Sequence, residues 1–235
     1  ARFSLRAELT GDRPLVDAII GLGLGTGDAG YYVPIGMGGL GQAALPEKVV
    51  LEALKPLLEA EKPLKDAHDL KALATLLLKR GIRLGGLGLD VHLASFLLNS
   101  AKREHQLDDL ARERLNTELP PPPLDAKKRV ASALPDQVAP YSGARADATE
   151  RLVSGLNDEL TREHQQKLWN EVEKPLIPIL AAMELEGIKV DGAALRTQRG
   201  PPCALGMEPN TASKAGRSCA GRMVSAGSRP WSCTS

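Results

Sequence analysis

Near residue 45 the hydrophobic period of this chain changes, and that change limits its possible folds more than any other feature. Before it, apolar residues fall in short runs between turn residues. Residues 3–9 alternate weakly and end at Thr10-Gly11-Asp12, while residues 18–24 and 31–35 are apolar runs punctuated by glycine. These read as three strands with short connections, an antiparallel meander. After residue 45 the apolar positions recur at helical spacing. Strands first, then strand–helix units on a shared sheet, predict an α/β fold with a mixed sheet.

The helical half divides at identifiable signals. Residues 47–59 (EKVVLEALKPLLE) form one amphipathic stretch, which Pro56 interrupts or bends late. Residues 69–80 form a second, with Asp69 placed to cap it, Lys79 and Arg80 in its last turn, and Gly81 as its stop. Asp90 can cap a third over 91–100, where Leu93, Phe96 and Leu97 make an apolar stripe, and 107–115 is a short fourth. The prolines at 120–123 impose an extended surface loop. A helix is expected from about 147 to 166, and another from about 172 to 186 that ends at Gly187 before a short strand at 188–191.

Charge and composition exclude several classes. A net charge of +1 gives no global electrostatic case for nucleic-acid binding. Residues 200–235 hold four basic residues and one acid, +3, so residues 1–199 carry −2. No apolar stretch approaches the ~20 residues of a bilayer span. The three cysteines, Cys203, Cys219 and Cys233, lie in the last 35 residues without CxxC pairing, which argues against a zinc site or disulfide framework and fits a reducing cytoplasm. After Gly200 the chain is rich in Gly, Pro, Ser and Arg with no hydrophobic period, so 200–235 is expected to be a disordered tail. Its abrupt onset suggests a truncated or frame-shifted reading of the gene.

Two longer stretches carry a resemblance. Residues 81–115 (GIRLGGLGLDVHLASFLLNSAKREHQLDDLARERL) and 171–191 (EVEKPLIPILAAMELEGIKVD) resemble, in order, two segments of the bacterial family A DNA polymerases. With residues 18–35 and 65–71, the resemblance covers most of residues 1–196. It implies an RNase H-like 3'-5' exonuclease domain over 1–166, with a mixed sheet of about five strands flanked by helices. It further implies the beginning of a polymerase domain over 167–199. By the same resemblance the parent enzyme acts in DNA replication and repair, as a cytoplasmic, nucleoid-associated monomer whose partner is DNA, with no membrane contact.

The resemblance also implies a site. That family's exonuclease holds two divalent metals, Mg or Mn, between carboxylates and hydrolyses the terminal phosphodiester. Its first motif, Asp-x-Glu on a strand with both acids on one face, maps to Arg6-Ala7-Glu8. Its second, an Asn followed four residues later by a ligand Asp, maps to Asp69 and Leu73. The third, Tyr-x-x-x-Asp, maps to Tyr141 and Arg145. Glu8 and Tyr141 are kept, while three of the four ligand carboxylates are absent. A guanidinium ~4 Å from a divalent ion costs on the order of 8 kcal/mol at an effective dielectric of 20, an upper figure. These positions are therefore expected to be vestigial, with no metal or other cofactor bound and Arg6 paired to Glu8 or Asp69. Two rivals stand beside this expectation: a working two-metal exonuclease with ligands from other positions, and a non-catalytic single-stranded DNA-binding module.

The remaining motifs have structural readings. Gly25-Thr26-Gly27-Asp28-Ala29-Gly30 matches GxGxxG, but strand-like residues follow it rather than a helix, so a hairpin turn is expected and not a dinucleotide site. His68, His92, His105 and His164 are scattered in sequence, and none is nominated as a ligand. Lys127-Lys128-Arg129 reads as a solvated loop cluster able to touch a DNA backbone.

Overall fold

The computed structural model describes residues 1–11, 13–36, 45–123 and 134–193. Five strands form one sheet: β1 (Arg2–Leu9), β2 (Ile19–Gly25), β3 (Gly30–Pro34), β4 (Leu64–Ala67) and β5 (Leu87–Asp90), in the order β3-β2-β1-β4-β5. The first three are antiparallel neighbours, and β4 and β5 run parallel to β1. The expected meander and mixed sheet are both present. The GxGxxG stretch is the β2–β3 hairpin, closed by a hydrogen bond from Thr26 N–H to the Ala29 carbonyl at 3.0 Å.

Helices α1 (Glu47–Glu59), α2 (Leu70–Lys79), α3 (Val91–Leu98) and α4 (Leu107–Leu115) lie close to their expected spans. Pro56 stays inside α1, which continues to Glu59. Asp69 caps α2 by accepting from Ala72 N–H at 2.8 Å, and Gly81 takes a positive φ of 73° just past its end. Asp90 accepts from Leu93 N–H at 3.1 Å and from Leu70 N–H at 2.7 Å, so one buried carboxyl caps α3 and fastens the start of α2. Its burial pushes its pKa up to about 7 against those hydrogen bonds.

Three expectations need correction. The helix expected from about 147 begins twelve residues earlier, as α5 (Pro135–Arg162). Pro135 occupies the first helical position, where a missing N–H costs nothing, and the poor helix formers that follow are explained by packing. Phe96 does not join an apolar stripe; it is exposed, and the buried positions of α3 are Val91, Ala94 and Ser95. Leu93 and Leu97 of the expected stripe pack half-buried against the core, so of the three it is Phe96 that departs. No strand forms at 188–191.

Strand β1 is sandwiched. Its odd-numbered Phe3 and Leu5 line apolar spaces with Leu57 of α1 and with Leu73 and Leu76 of α2. Its even-numbered residues meet α5: Ser4 Oγ donates to the Ala146 carbonyl and Arg6 reaches Tyr141. Helix α5 lies unusually close to β2 and β3 because glycines face it. A Cβ on Gly25 would overlap the Ala146 carbonyl, and one on Gly30 would overlap the backbone of Gly143. Ser142, Gly143 and Ala146 answer with equally small side chains, which accounts for the poor helix formers in this turn of α5.

A short helix α6 (Gln166–Leu168) passes through a π-helical turn (Trp169–Glu173) into α7 (Lys174–Glu186). Helix α7 buries Ile177 and Ala181 and docks on α2, where Lys71 Nζ donates to Glu184 at 2.5 Å. One compact unit spans Ala1–Gly187. The expected tail 200–235, its cysteines and Lys127-Lys128-Arg129 lie outside the described residues. Among the described residues no helix is long and apolar enough to cross a membrane.

Candidate functional site

The strand period of two sends Arg6 and Glu8 to the same face of β1. There Arg6 Nε donates to Glu8 Oε1 at 2.6 Å, and Glu8 is buried at 5% exposure. The same guanidinium reaches Tyr141 Oη at 3.5 Å. Burial works against the charge of Arg6, but the neighbouring Glu8 and the Tyr141 oxygen outweigh it and raise its pKa. On the hairpin side, burial and the Glu8 charge together push the Tyr32 hydroxyl up to about 12. That hydroxyl donates to the Ile20 carbonyl at 3.0 Å.

Tyr141 and Arg145 stand one turn apart on α5. The Arg145 guanidinium lies 4.1 Å from the centre of the Tyr141 ring, and that of Arg6 lies 5.8 Å from it. The phenol is therefore bracketed by two cations, with favourable charge–ring contact from the nearer one. Arg145 is itself anchored: Nη1 donates to the Pro120 carbonyl at 2.7 Å and Nη2 to Asp108 Oδ1 at 2.6 Å. The proline run thus begins at a tether to the site.

Leu73 and Asp69 line the same cleft as Arg6, a small space of about 140 Å³ that also touches Leu5, His68 and Thr149. Leu73 belongs to the hydrophobic core at 5% exposure, and Asp69 is committed to capping α2. All six expected site residues therefore converge on the region between β1, the start of α2 and α5. Among Arg6, Glu8, Leu73, Tyr141 and Arg145 the one carboxylate is Glu8, and its partner is a guanidinium. Among the described residues no group of three or more His, Cys, Asp or Glu is arranged to hold a metal ion.

The histidines were scattered in sequence but three of them meet in space. The rings of His68 and His92 lie 5.4 Å apart, and those of His92 and His105 lie 5.8 Å apart. His68 Nε2 hydrogen-bonds the His105 carbonyl at 2.8 Å, and His105 Nδ1 pairs with Ser95 Oγ at 2.7 Å. Burial lowers the pKa of His68 to about 4, so it is neutral near pH 7. No spacing rule could reveal this cluster, because the β4–α2 turn, α3 and the α3–α4 loop each supply one ring.

A second group escaped the sequence reading entirely. Arg2 on β1 joins Asp66 of β4 through Nε and Nη2 at 2.9 and 2.7 Å, and approaches Glu150 of α5 at 3.4 Å. Asp66 is fully buried and also accepts from Leu89 N–H at 2.6 Å. The hydrogen bond to Asp66 and the two carboxylate charges raise the Arg2 pKa above its ordinary value despite partial burial.

A mixed sheet in this order, with helices on both faces and a cleft against β1, defines an RNase H-like fold of the 3'-5' exonuclease type. The family described as "DNA polymerase I, ribonuclease H-like domain" matches residues 5–121, and this chain belongs to the DNA polymerase I family. It is 32% identical over 203 residues to DNA polymerase I of Chloroflexus aurantiacus, a match covering 83% of this chain and 21% of that protein. With DNA polymerase I of Pseudomonas aeruginosa it shares 33% identity over 178 residues, 71% of this chain and 19% of the relative. The chain therefore spans about a fifth of the length of these relatives. Among solved structures, the POL domain of Pol1 from M. smegmatis, in complex with DNA primer-template and dNTP, superposes with a TM-score of 0.66 at 27% identity. That match covers 84% of this chain and 30% of the other. Brucella melitensis NrnC bound to pGG superposes at 0.62 with 20% identity, covering 79% of this chain and 85% of that one, a likeness of fold.

Proposed function

We propose that this chain is the exonuclease-type domain of a DNA polymerase I in which hydrolysis has been retired, and that it serves as a structural platform beside the polymerase. The observation that carries this reading is the Arg6–Glu8 ion pair at 2.6 Å, formed where the family's first motif would offer two free carboxylates. A pair of hard divalent cations needs several oxygen ligands. The donors at these positions do not fit that need: one carboxylate already paired, one leucine in the core, and one arginine tied to Asp108. Each guanidinium bracketing Tyr141 holds a carboxylate, Arg6 holding Glu8 and Arg145 holding Asp108, which withdraws both acids from Mg or Mn. On this reading residues 6, 8, 69, 73, 141 and 145 are vestigial. The docking of α7 on α2 supports the platform role, since it joins the sheet domain to the segment that resembles the start of a polymerase domain. DNA is the partner of the larger enzyme, which acts as a monomer in the bacterial cytoplasm at the nucleoid.

The test is direct. The purified chain is incubated with 5'-labelled single-stranded DNA and Mg or Mn. No shortening of the DNA beyond a protein-free control is expected. Metal-dependent shortening that disappears in Glu8→Gln would overturn the proposal.

A further inference from the structure

The Arg2–Asp66–Glu150 group plays no part in the vestigial site, and its charges do not balance. One guanidinium faces two buried carboxyl groups, with Asp66 fully buried and Glu150 at 8% exposure. Glu150 Oε2 is buried without a hydrogen-bond partner, and so is Oδ1 of Asp147, one turn earlier on α5. Desolvated negative charge in excess of its cation is costly, and the usual relief is for one carboxyl to keep its proton. The groups facing Glu150 are few. β1 supplies Arg2, β4 supplies Asp66, and α5 itself supplies Asp147. The β2–β3 turn brings Gly27 against its side chain, with Asp28 next to it exposed to solvent. Asp90 on the neighbouring β5 is committed to Leu70 and Leu93. Asp147 has a cation of its own, Arg151 at 4.0 Å, and Arg2 is the one cation paired with Glu150 among the described residues.

We propose that Arg2, Asp66 and Glu150 form a proton-held latch that ties the first residues of β1 to β4 and α5, and that it loosens when Glu150 ionises. In the latched form a protonated Glu150 hydrogen-bonds Asp66, leaving a single carboxylate charge for Arg2. Burial first, and then the charge of Asp66, raises the Glu150 pKa to about 7. A carboxyl whose folded pKa lies above its unfolded one favours the folded state at low pH. Its contribution is complete below the ordinary carboxylate range and declines as pH rises from there to about 7. Above that, the latch is open. The latch and the Arg6–Glu8 pair share β1 and α5, so opening it slackens the strand and helix that carry the vestigial site.

The experiment follows the thermal midpoint of the full chain from pH 5 to 8.5, beside Glu150→Gln, which imitates the protonated form. Asp90 titrates in the same range, so the readout is the difference between the two proteins rather than either curve. The midpoints should agree near pH 5 and separate by several degrees at pH 8, with Glu150→Gln the higher. Parallel curves would overturn the latch. Should Glu150→Gln fail to fold, a 13C carboxyl titration of the parent decides: a Glu150 midpoint above 6 supports it, and one in the ordinary carboxylate range defeats it.

Discussion

Arg2 and Arg6 stand four residues apart on the same face of β1, yet they sit in opposite electrostatic circumstances. Arg6 meets one carboxylate, Glu8, and the pair is neutral. Arg2 meets two, Asp66 and Glu150, and the group carries surplus negative charge unless a proton stays. The first arrangement leaves the buried acid beside the cleft matched by one cation. The second makes a joint between strand and helix depend on protonation. What separates them is a count of neighbouring acids, since both arginines lie on one strand against one helix.

The largest effect that could sharpen this contrast is a gain of activity. Arg6→Asp, Leu73→Asp and Arg145→Asp together would surround Glu8 with oxygen donors in place of cations. Metal-dependent cleavage of single-stranded DNA should rise from background to a readily measured rate, and should vanish again when Glu8→Gln is added. Rate assays with and without Mn would show it. If the triple variant folds by circular dichroism but stays inert, the six positions do not define the old site.

Next in size is the loss of a buried partner. Asp66→Ala takes away the two-point partner of Arg2, leaving it Glu150 alone, and leaves the Leu89 N–H without its acceptor, so a cost of about 3 kcal/mol is expected in urea unfolding. Arg6→Ala should cost less, about 2 kcal/mol, because part of its side chain already meets water and Glu8 can gain hydration. Equal losses would erase the distinction between the two arginines. Gly25→Ala should destabilise by about 1–3 kcal/mol, as the added methyl forces α5 away from β2.

The smallest effect concerns Asp90, a buried acid with no ion-pair partner among the described residues. Its folded pKa, about 7, lies above the unfolded value, so the stability it contributes is lost as pH climbs toward 7. Asn keeps one acceptor oxygen for Leu70 N–H or Leu93 N–H and sets its NH2 against the other. Asp90→Asn should therefore flatten the pH dependence of the unfolding free energy between pH 5 and 7, on top of a pH-independent loss of about 1 kcal/mol for the unsatisfied N–H. A slope identical to the parent's would show that Asp90 ionises normally.

The sheet, the capping of α2 and α3 by Asp69 and Asp90, and the approach of Arg6 to Glu8 were all legible beforehand. Each depends on local rules: period, a capping side chain, or a spacing of two on a strand. The start of α5 was not legible, because Pro140, Ser142 and Gly143 lower helix propensity for a reason that lies in β2 and β3. Exposed Phe96 misled for a similar reason, since hydrophobicity says nothing about which turn of α3 meets the core. The histidine cluster and the Arg2 group were hidden because their members come from three separate elements. Their meeting depends on topology, which no single stretch of residues encodes.

The close seating of α5 has one more implication. Where backbone rests on backbone, at Gly25 against Ala146 and Gly30 against Gly143, the gap between strand and helix is set without help from any long side chain. Positions 6, 8, 141 and 145 hang from that fixed frame like tools on a rack. Their chemical identities can be exchanged over evolutionary time while the frame keeps its dimensions.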